Sequence, residues 1–210
     1  MPYRPKNEPF PLPFEVYPEE WFRRLEAGEI FPERADAVTE VDLGCGDGSF
    51  LNGMARQYPE RNFLGVERLL GRVRKVCRDT RKGELANVRA LRLETTYAVE
   101  WLLPRGFADR VHLLFPDPWP RKKHHKRRLM RQPKFLRSVH DLLKPGGEFW
   151  FKTDHEEYFD VAEEALQEID FFERLPWPED EFYPVTDFEQ VWQADGRKIQ
   201  GIRLRKIATA

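Results

Sequence analysis

The chain has 210 residues, 40% of them apolar and 34% charged, with 35 Lys/Arg against 36 Asp/Glu for a formal charge of −1. That length and apolar content suit one domain with its own core and exclude a disordered chain. Cys45 and Cys77 form no CxxC pair, no apolar run approaches the roughly 20 residues of a membrane span, and the proline-broken N-terminus lacks a secretory apolar core, so a cytoplasmic protein with no membrane partner is expected.

Residues 1–18 are rich in proline and predict an extended arm, leaving residues 19–210 as a single domain. A short helix is expected over Glu19–Ala27. An α/β alternation follows. Val38–Asp42 reads as a strand and Ser49–Gln57 as a helix. Asn62–Val66 reads as a strand, and Leu69–Lys82 as a helix carrying Arg72, Arg74, Lys75, Arg78, Arg81 and Lys82 against one acid, Asp79. Val88–Leu93 is a strand, Tyr97–Leu103 a helix, and Arg110–Phe115 a strand that runs into a proline loop. A helix over Lys134–Leu143 ends at the stop signal Lys144-Pro-Gly-Gly147. Glu148–Thr153 is a strand, His155–Ile169 an acidic helix, residues 176–186 a proline-rich loop, and Ile199–Lys206 a final strand. Strands separated by helices predict an α/β fold with a mostly parallel, doubly wound sheet. In such sheets ligands bind at the carboxyl ends of the strands.

The first strand ends in Asp42-Leu-Gly44-Cys-Gly46-Asp-Gly48. Its glycines permit a tight turn and close approach of a ligand to the backbone. Glu67 ends the next strand, where an acid commonly holds two ribose hydroxyls. A dinucleotide fold would use GxGxxG with a pyrophosphate on the helix N-terminus. Here the spacing is GxGxG, with an acid two residues before the first glycine. Asp42 would repel a pyrophosphate and suits a cationic ligand such as S-adenosyl-L-methionine. A glycine turn that merely packs strand on helix is the structural alternative. Glu94, near the end of the third strand, could receive an adenine amino group, or be a solvated strand-end acid.

Residues 115–128 read FPDPWPRKKHHKRR. Proline fixes φ, which makes the start of this segment a stiff loop rather than a helix. Trp119 could stack on a purine face, worth about 1–3 kcal/mol per base. Asp117 could accept from guanine N1–H and the exocyclic amine, a donor pair that no adenine edge offers. Phe115–Arg137 holds nine Lys/Arg against Asp117, a local +8 in a chain of −1. Such runs are usually solvated faces. Beside a candidate site, Lys122, Lys123, Lys126, Arg127 and Arg128 are expected to hold phosphates, and the basic helix after the second strand extends that footprint. His124 and His125 lack the companions of a metal site, and no metal is expected. Thr153-Asp154 and Thr186-Asp187-Phe188-Glu189 put hydroxyls and carboxylates at loop edges, where a capping role competes with ligand binding.

These segments together resemble the tRNA (guanine-N7)-methyltransferases of the bacterial TrmB family. The likeness is carried by Asp42-Leu-Gly-Cys-Gly46, Gly65-Val-Glu67, the whole Phe115–Arg128 segment, Thr153-Asp154 and Thr186-Asp-Phe-Glu189. The glycine motif is common to many methyltransferases, whereas FPDPWP followed by KRR is specific. The resemblance implies a Rossmann-like class I fold that uses S-adenosyl-L-methionine, with an antiparallel C-terminal strand. It implies methyl transfer to N7 of guanine in tRNA, usually position 46 of the variable loop. By the family pattern Asp42, Gly44, Gly46, Glu67, Glu94 and Asp117 form the donor site, with Asp117 the candidate catalytic residue. Arg121, Asp154, Thr186, Asp187, Phe188 and Glu189 would join Trp119 at the substrate. Relatives often carry Asp at 94 and Lys at 121, so the adenine contact and the grip of Arg121 should differ in geometry. tRNA is the expected partner, and no obligate protein partner is expected.

Overall fold

Strands β2 (Thr39–Leu43) and β3 (Asn62–Val66) are buried at every residue, as strands covered on both faces must be. The structure is a computed structural model and describes residues 11–178 and 180–207. Successive residues of these strands feed two separate apolar cores. Leu64 and Val66 join one with Val41 and Leu43, while Phe63 joins the other. That period of two places a core on each side of one sheet. Helices α2 (Ser49–Gln57) and α3 (Leu70–Lys82) cover one side through Phe50, Leu51, Met54, Val73 and Val76. Helices α5 (Pro133–Leu142) and α6 (Glu156–Gln167) cover the other through Phe135, Leu136, Val139, Tyr158 and Ala162.

The sheet has eight strands in the order β1-β4-β3-β2-β5-β6-β8-β7. The remaining strands are β1 (Glu15–Val16), β4 (Val88–Leu91), β5 (Ala108–Leu114), β6 (Leu143–Thr153), β7 (Phe172–Leu175) and β8 (Gln200–Lys206). From β1 to β6 every pairing is parallel, and β8 runs antiparallel to both β6 and β7. The mostly parallel, doubly wound arrangement with an antiparallel C-terminal strand is therefore present. Chain reversal occurs beside β2, where the order turns from β3-β4 on one side to β5-β6 on the other, and the crevice of such a sheet opens there. Among the described residues no helix is long and apolar enough to cross a membrane.

Several elements depart from the sequence pattern. Residues 1–10 of the expected arm lie outside the described residues, but Glu15–Val16 pairs with Ala90–Leu91 and Leu12 is buried, so the later part of the arm is built into the sheet edge. The helix expected over 19–27 is instead α1 (Ala27–Ile30). The Leu25 amide donates to the Leu102 carbonyl (2.8 Å), and the Arg24 guanidinium reaches the carbonyls of Glu100 and Leu103 (2.6 Å each). Tertiary partners thus satisfy this stretch without a helix. The helix expected at Tyr97–Leu103 is a short α4 (Thr95–Tyr97) that widens into a π-helical turn, Ala98–Leu102. Lys144-Pro-Gly-Gly147 does end α5, and it also opens β6 as a bulge, with Leu143 opposite Ala108 and Glu148 opposite Arg110. Strand β7 and helix α7 (Asp187–Ala194) were not legible in the pattern.

Candidate functional site

The carboxyl ends of β2, β3, β4 and β5 form one rim. Their registers align Asp42 with Gly65 and with His112, and Val66 with Leu91, so the strands stop at nearly the same level. Beyond β2 the chain turns through Gly44, Gly46 and Gly48, at φ of +82°, +58° and +83°. Only glycine adopts this succession of left-handed residues without strain. The amides of Gly44 and Cys45 both donate to the Val66 carbonyl (2.8 and 3.1 Å), which pins the turn to β3. A Cβ on Gly44 would meet no atom within 4 Å, so the backbone there faces open space.

That space is a cavity of about 680 Å³. Leu43, Leu113 and Leu114 form an apolar floor, and Gly44, Glu67, Glu94, Asp117 and Trp119 stand around it. Glu67 is nearly buried; its Oε1 accepts the Leu69 amide (2.8 Å) and its Oε2 lies 3.4 Å from Arg72 Nη1. Glu94 is exposed to the cavity and caps α4 by accepting the Tyr97 amide (2.9 Å). Its capping role and its place on the wall are compatible, because one carboxylate has several lone pairs. Open backbone, an apolar floor and spaced carboxylates suit an adenosyl ligand with ribose hydroxyls and positive charge, and these residues fit S-adenosyl-L-methionine. Asp42 and Gly46 are buried behind the wall rather than lining it. Among the described residues no group of three or more His, Cys, Asp and Glu side chains is placed to hold a metal ion.

The opposite wall is the proline loop after β5. Phe115 and Trp119 have φ of +51° and +47°, uncommon for bulky residues and costing about 1–3 kcal/mol each. Surrounding contacts hold them there. The Phe115 amide donates to the Lys152 carbonyl (2.8 Å), and its ring packs on Trp192 with centroids 4.9 Å apart. Trp119 lies against His124 (5.8 Å between ring centroids) and beneath the Arg127 guanidinium (4.8 Å). The basic stretch is not a plain loop: Lys122–Arg127 forms a 3-10 helix. Lys126 and Arg127 line the cavity, as do Arg68 just before α3 and Arg72 in its first turn, while Arg121, Lys122 and Lys123 are exposed outside it.

Arg128 corrects the sequence reading. Its side chain is fully buried and therefore unavailable to a phosphate at the surface. Its Nε donates to the Pro118 carbonyl (2.7 Å). Neither Thr186 nor Glu189 lines the cavity. Thr186 Oγ1 caps α7 by accepting the Glu189 amide (3.0 Å), and Glu189 Oε1 accepts from Lys152 Nζ (2.6 Å). Glu189 Oε2 is buried without a hydrogen-bond partner. Asp154 accepts from Arg197 (2.7 Å). The side chains of Asp187 and Phe188 lie outside the described part of the structure. Thr95, Thr96 and Gln132 also line the cavity, and no sequence signal marked them.

Three comparisons bear on this site. A family profile described as "Putative methyltransferase" matches residues 36–202. A tRNA (guanine-N(7)-)-methyltransferase from Syntrophotalea carbinolica is 34% identical over 84% of this chain and 77% of its own length. One from Geobacter metallireducens is 30% identical over 93% of this chain and 94% of its own. Among solved structures, a 16S rRNA (adenine(1408)-N(1))-methyltransferase with cosubstrate SAM from Catenulisporales acidiphilia superposes with a TM-score of 0.59 at 17% identity, covering 88% of this chain and 92% of that one. The last likeness concerns the fold.

Burial, and then the negative charge of Glu67, push the Asp42 carboxyl up to about 7. The ordinary value is about 3.9, so the folded state holds this proton more tightly. The resulting stability is fully present below about pH 4 and is lost as pH rises through about 7, with a slope of at most about 1.4 kcal/mol per unit. In urea unfolding without donor, the wild type should lose stability relative to Asp42→Asn between about pH 5 and pH 7. A difference that stays constant across that range would mean that Asp42 is ionised throughout.

Proposed function

The chain belongs to the tRNA (guanine-N7)-methyltransferase family, and on that premise we propose that it transfers a methyl group from S-adenosyl-L-methionine to N7 of guanine 46 in the tRNA variable loop. The observation that carries the reading is one cavity, about 680 Å³, with Glu67 and Glu94 on one wall and Asp117 and Trp119 on the other. Cations stand at its edge: Arg68, Arg72, Lys126 and Arg127. A nucleoside donor and a base on a phosphate backbone need that combination. The reading places the enzyme in the cytoplasm with its tRNA and requires no protein partner.

When bound, the donor supplies an electrophilic methyl group on a positively charged sulfur. Guanine N7 already carries a lone pair, so no general base need remove a proton before attack. The chain's task is alignment and charge stabilisation. Trp119, in its fixed left-handed conformation, offers a ring edge and face beside the floor. The Asp117 carboxylate holds the guanine N1–H and exocyclic amine. As positive charge enters the purine those donors strengthen, so Asp117 binds the transition state more tightly than the neutral base. Lys122, Lys123, Lys126 and Arg127 hold phosphates and set the register of the RNA.

Incubation with labelled donor and unmodified tRNA, followed by alkali-induced strand cleavage, should yield one break at guanine 46. A break at another guanine, or label on a different base, would overturn the positional assignment. Asp117→Asn should lower the single-turnover rate at saturating tRNA by about a hundredfold or more while tRNA affinity changes little. Equal losses in both would make Asp117 a binding residue only. Charge reversal at Lys123, Lys126 and Arg127 should weaken tRNA binding and reduce the slope of log K against log salt by about one for each phosphate contact removed. An unaltered slope would show that these cations face away from the RNA.

A further inference from the structure

Three prolines, Pro116, Pro118 and Pro120, leave the loop around Asp117 and Trp119 short of amide donors. Such a turn must be held through its carbonyls. The Pro118 carbonyl lies between the carboxylate and the ring in sequence, and Arg128 Nε donates to it at 2.7 Å. Arg128 comes from the same basic run as the exposed Lys126 and Arg127, yet it is fully buried. Burial of a guanidinium is unfavourable unless its donors are satisfied. Here Nη2 donates to His125 Nε2 (3.1 Å), Nη1 lies 3.4 Å from Glu157 Oε1, and the group sits over the Tyr158 ring at 5.4 Å. Tyr158 is itself buried on α6, against Phe151 of β6. Besides the Phe115 amide bond to β6, the loop is thereby tied to α6 and the sheet through the Arg128 side chain, where Phe115 and Trp119 are conformationally strained.

We propose that Arg128 is a positioning residue of the acceptor site: by holding the Pro118 carbonyl from the protein interior it aims the Asp117 carboxylate and the Trp119 ring into the cavity, an inference that rests on the methyl-transfer reading above. It touches neither substrate nor phosphate. Its fork geometry matters, because three directions are satisfied at once and a lysine ammonium cannot span them. His125 presents Nε2 to Arg128 Nη2, and its Nδ1 lies 3.5 Å from Glu157 Oε1.

The test compares Arg128→Lys and Arg128→Met with the wild type. Single-turnover methylation at saturating tRNA should fall about tenfold in Arg128→Lys and about a hundredfold in Arg128→Met, since small misplacement of reacting groups costs that much. Affinity for tRNA, and its salt slope, should stay within about twofold of wild type. Should Arg128→Met not fold, Arg128→Lys carries the comparison. A shallower salt slope with weaker binding and a full rate at saturation would overturn the proposal and make Arg128 a phosphate contact. A lowered Tm with rate and affinity unchanged would also overturn it. A wild type that binds tRNA without methylating it would overturn the methyl-transfer reading. Arg128 would then be judged by trypsin nicking at Arg121–Lys123 well below Tm: about tenfold faster in the variants supports loop holding, and no change overturns it.

Discussion

One carbonyl organises the donor side of this protein. Val66 O accepts the amides of both Gly44 and Cys45 and so bends the chain leaving β2 across the end of β3. The glycines make this bend sterically possible, and the parallel register supplies the acceptor at the right height. The same pairing brings Glu67, one residue beyond β3, beside the turn. At Gly65 a Cβ would lie 2.7 Å from Cys45 Sγ and 2.8 Å from Leu51, so a glycine in the strand is what lets the turn and α2 close down on the sheet. The cavity exists because these close approaches remove side chains from the rim while carboxylates remain around it.

Charge is distributed so that each sign meets its counterpart. Carboxylates at 42, 67, 94 and 117 mark the strand ends, and cations arrive from α3 and from the 3-10 helix. Arg72 lies beside Glu67, and Lys75 bonds Asp47 (2.7 Å), so the acidic turn is partly neutralised before any ligand enters. Asp42 is different. It is buried beside Glu67, and its raised titration makes its charge dependent on what occupies the cavity, since a cationic ligand favours the ionised form. Across the cavity the loop stores backbone strain at Phe115 and Trp119, and the Lys152 carbonyl of β6, the Trp192 ring of α7 and the buried Arg128 hold it. A loop so restrained presents its acid and its ring in one arrangement, which is what a reaction governed by alignment requires.

The central strands and helices were legible because their residues are locally consistent. Ser49–Gln57 and Asn62–Val66 have the bounds their patterns indicate, each ending at turn-forming residues. Residues 19–27 misled because their polar groups answer to distant carbonyls at 100–103 rather than to their own turn. Helix α7 was hidden because Thr186-Asp-Phe-Glu189 reads equally as a ligand motif and as a helix cap, and Thr186 does cap. Arg128 was read with its neighbours as a surface cation, since charge counts along a chain carry no information on burial.

By itself the sequence determined the order of the central strands and helices, the glycine turn, the acids at the strand ends and the family likeness, because spacing and backbone restriction are local properties. The tertiary structure decided which of those groups share a cavity. It set Glu67, Glu94, Asp117 and Trp119 around one space, left Asp42 behind the wall, and turned Arg128 inward while Arg127 stayed out. Adjacent residues on a short 3-10 turn point in different directions, and the partners that reward burial, the Pro118 carbonyl and the Tyr158 ring, come from elements that only folding brings together.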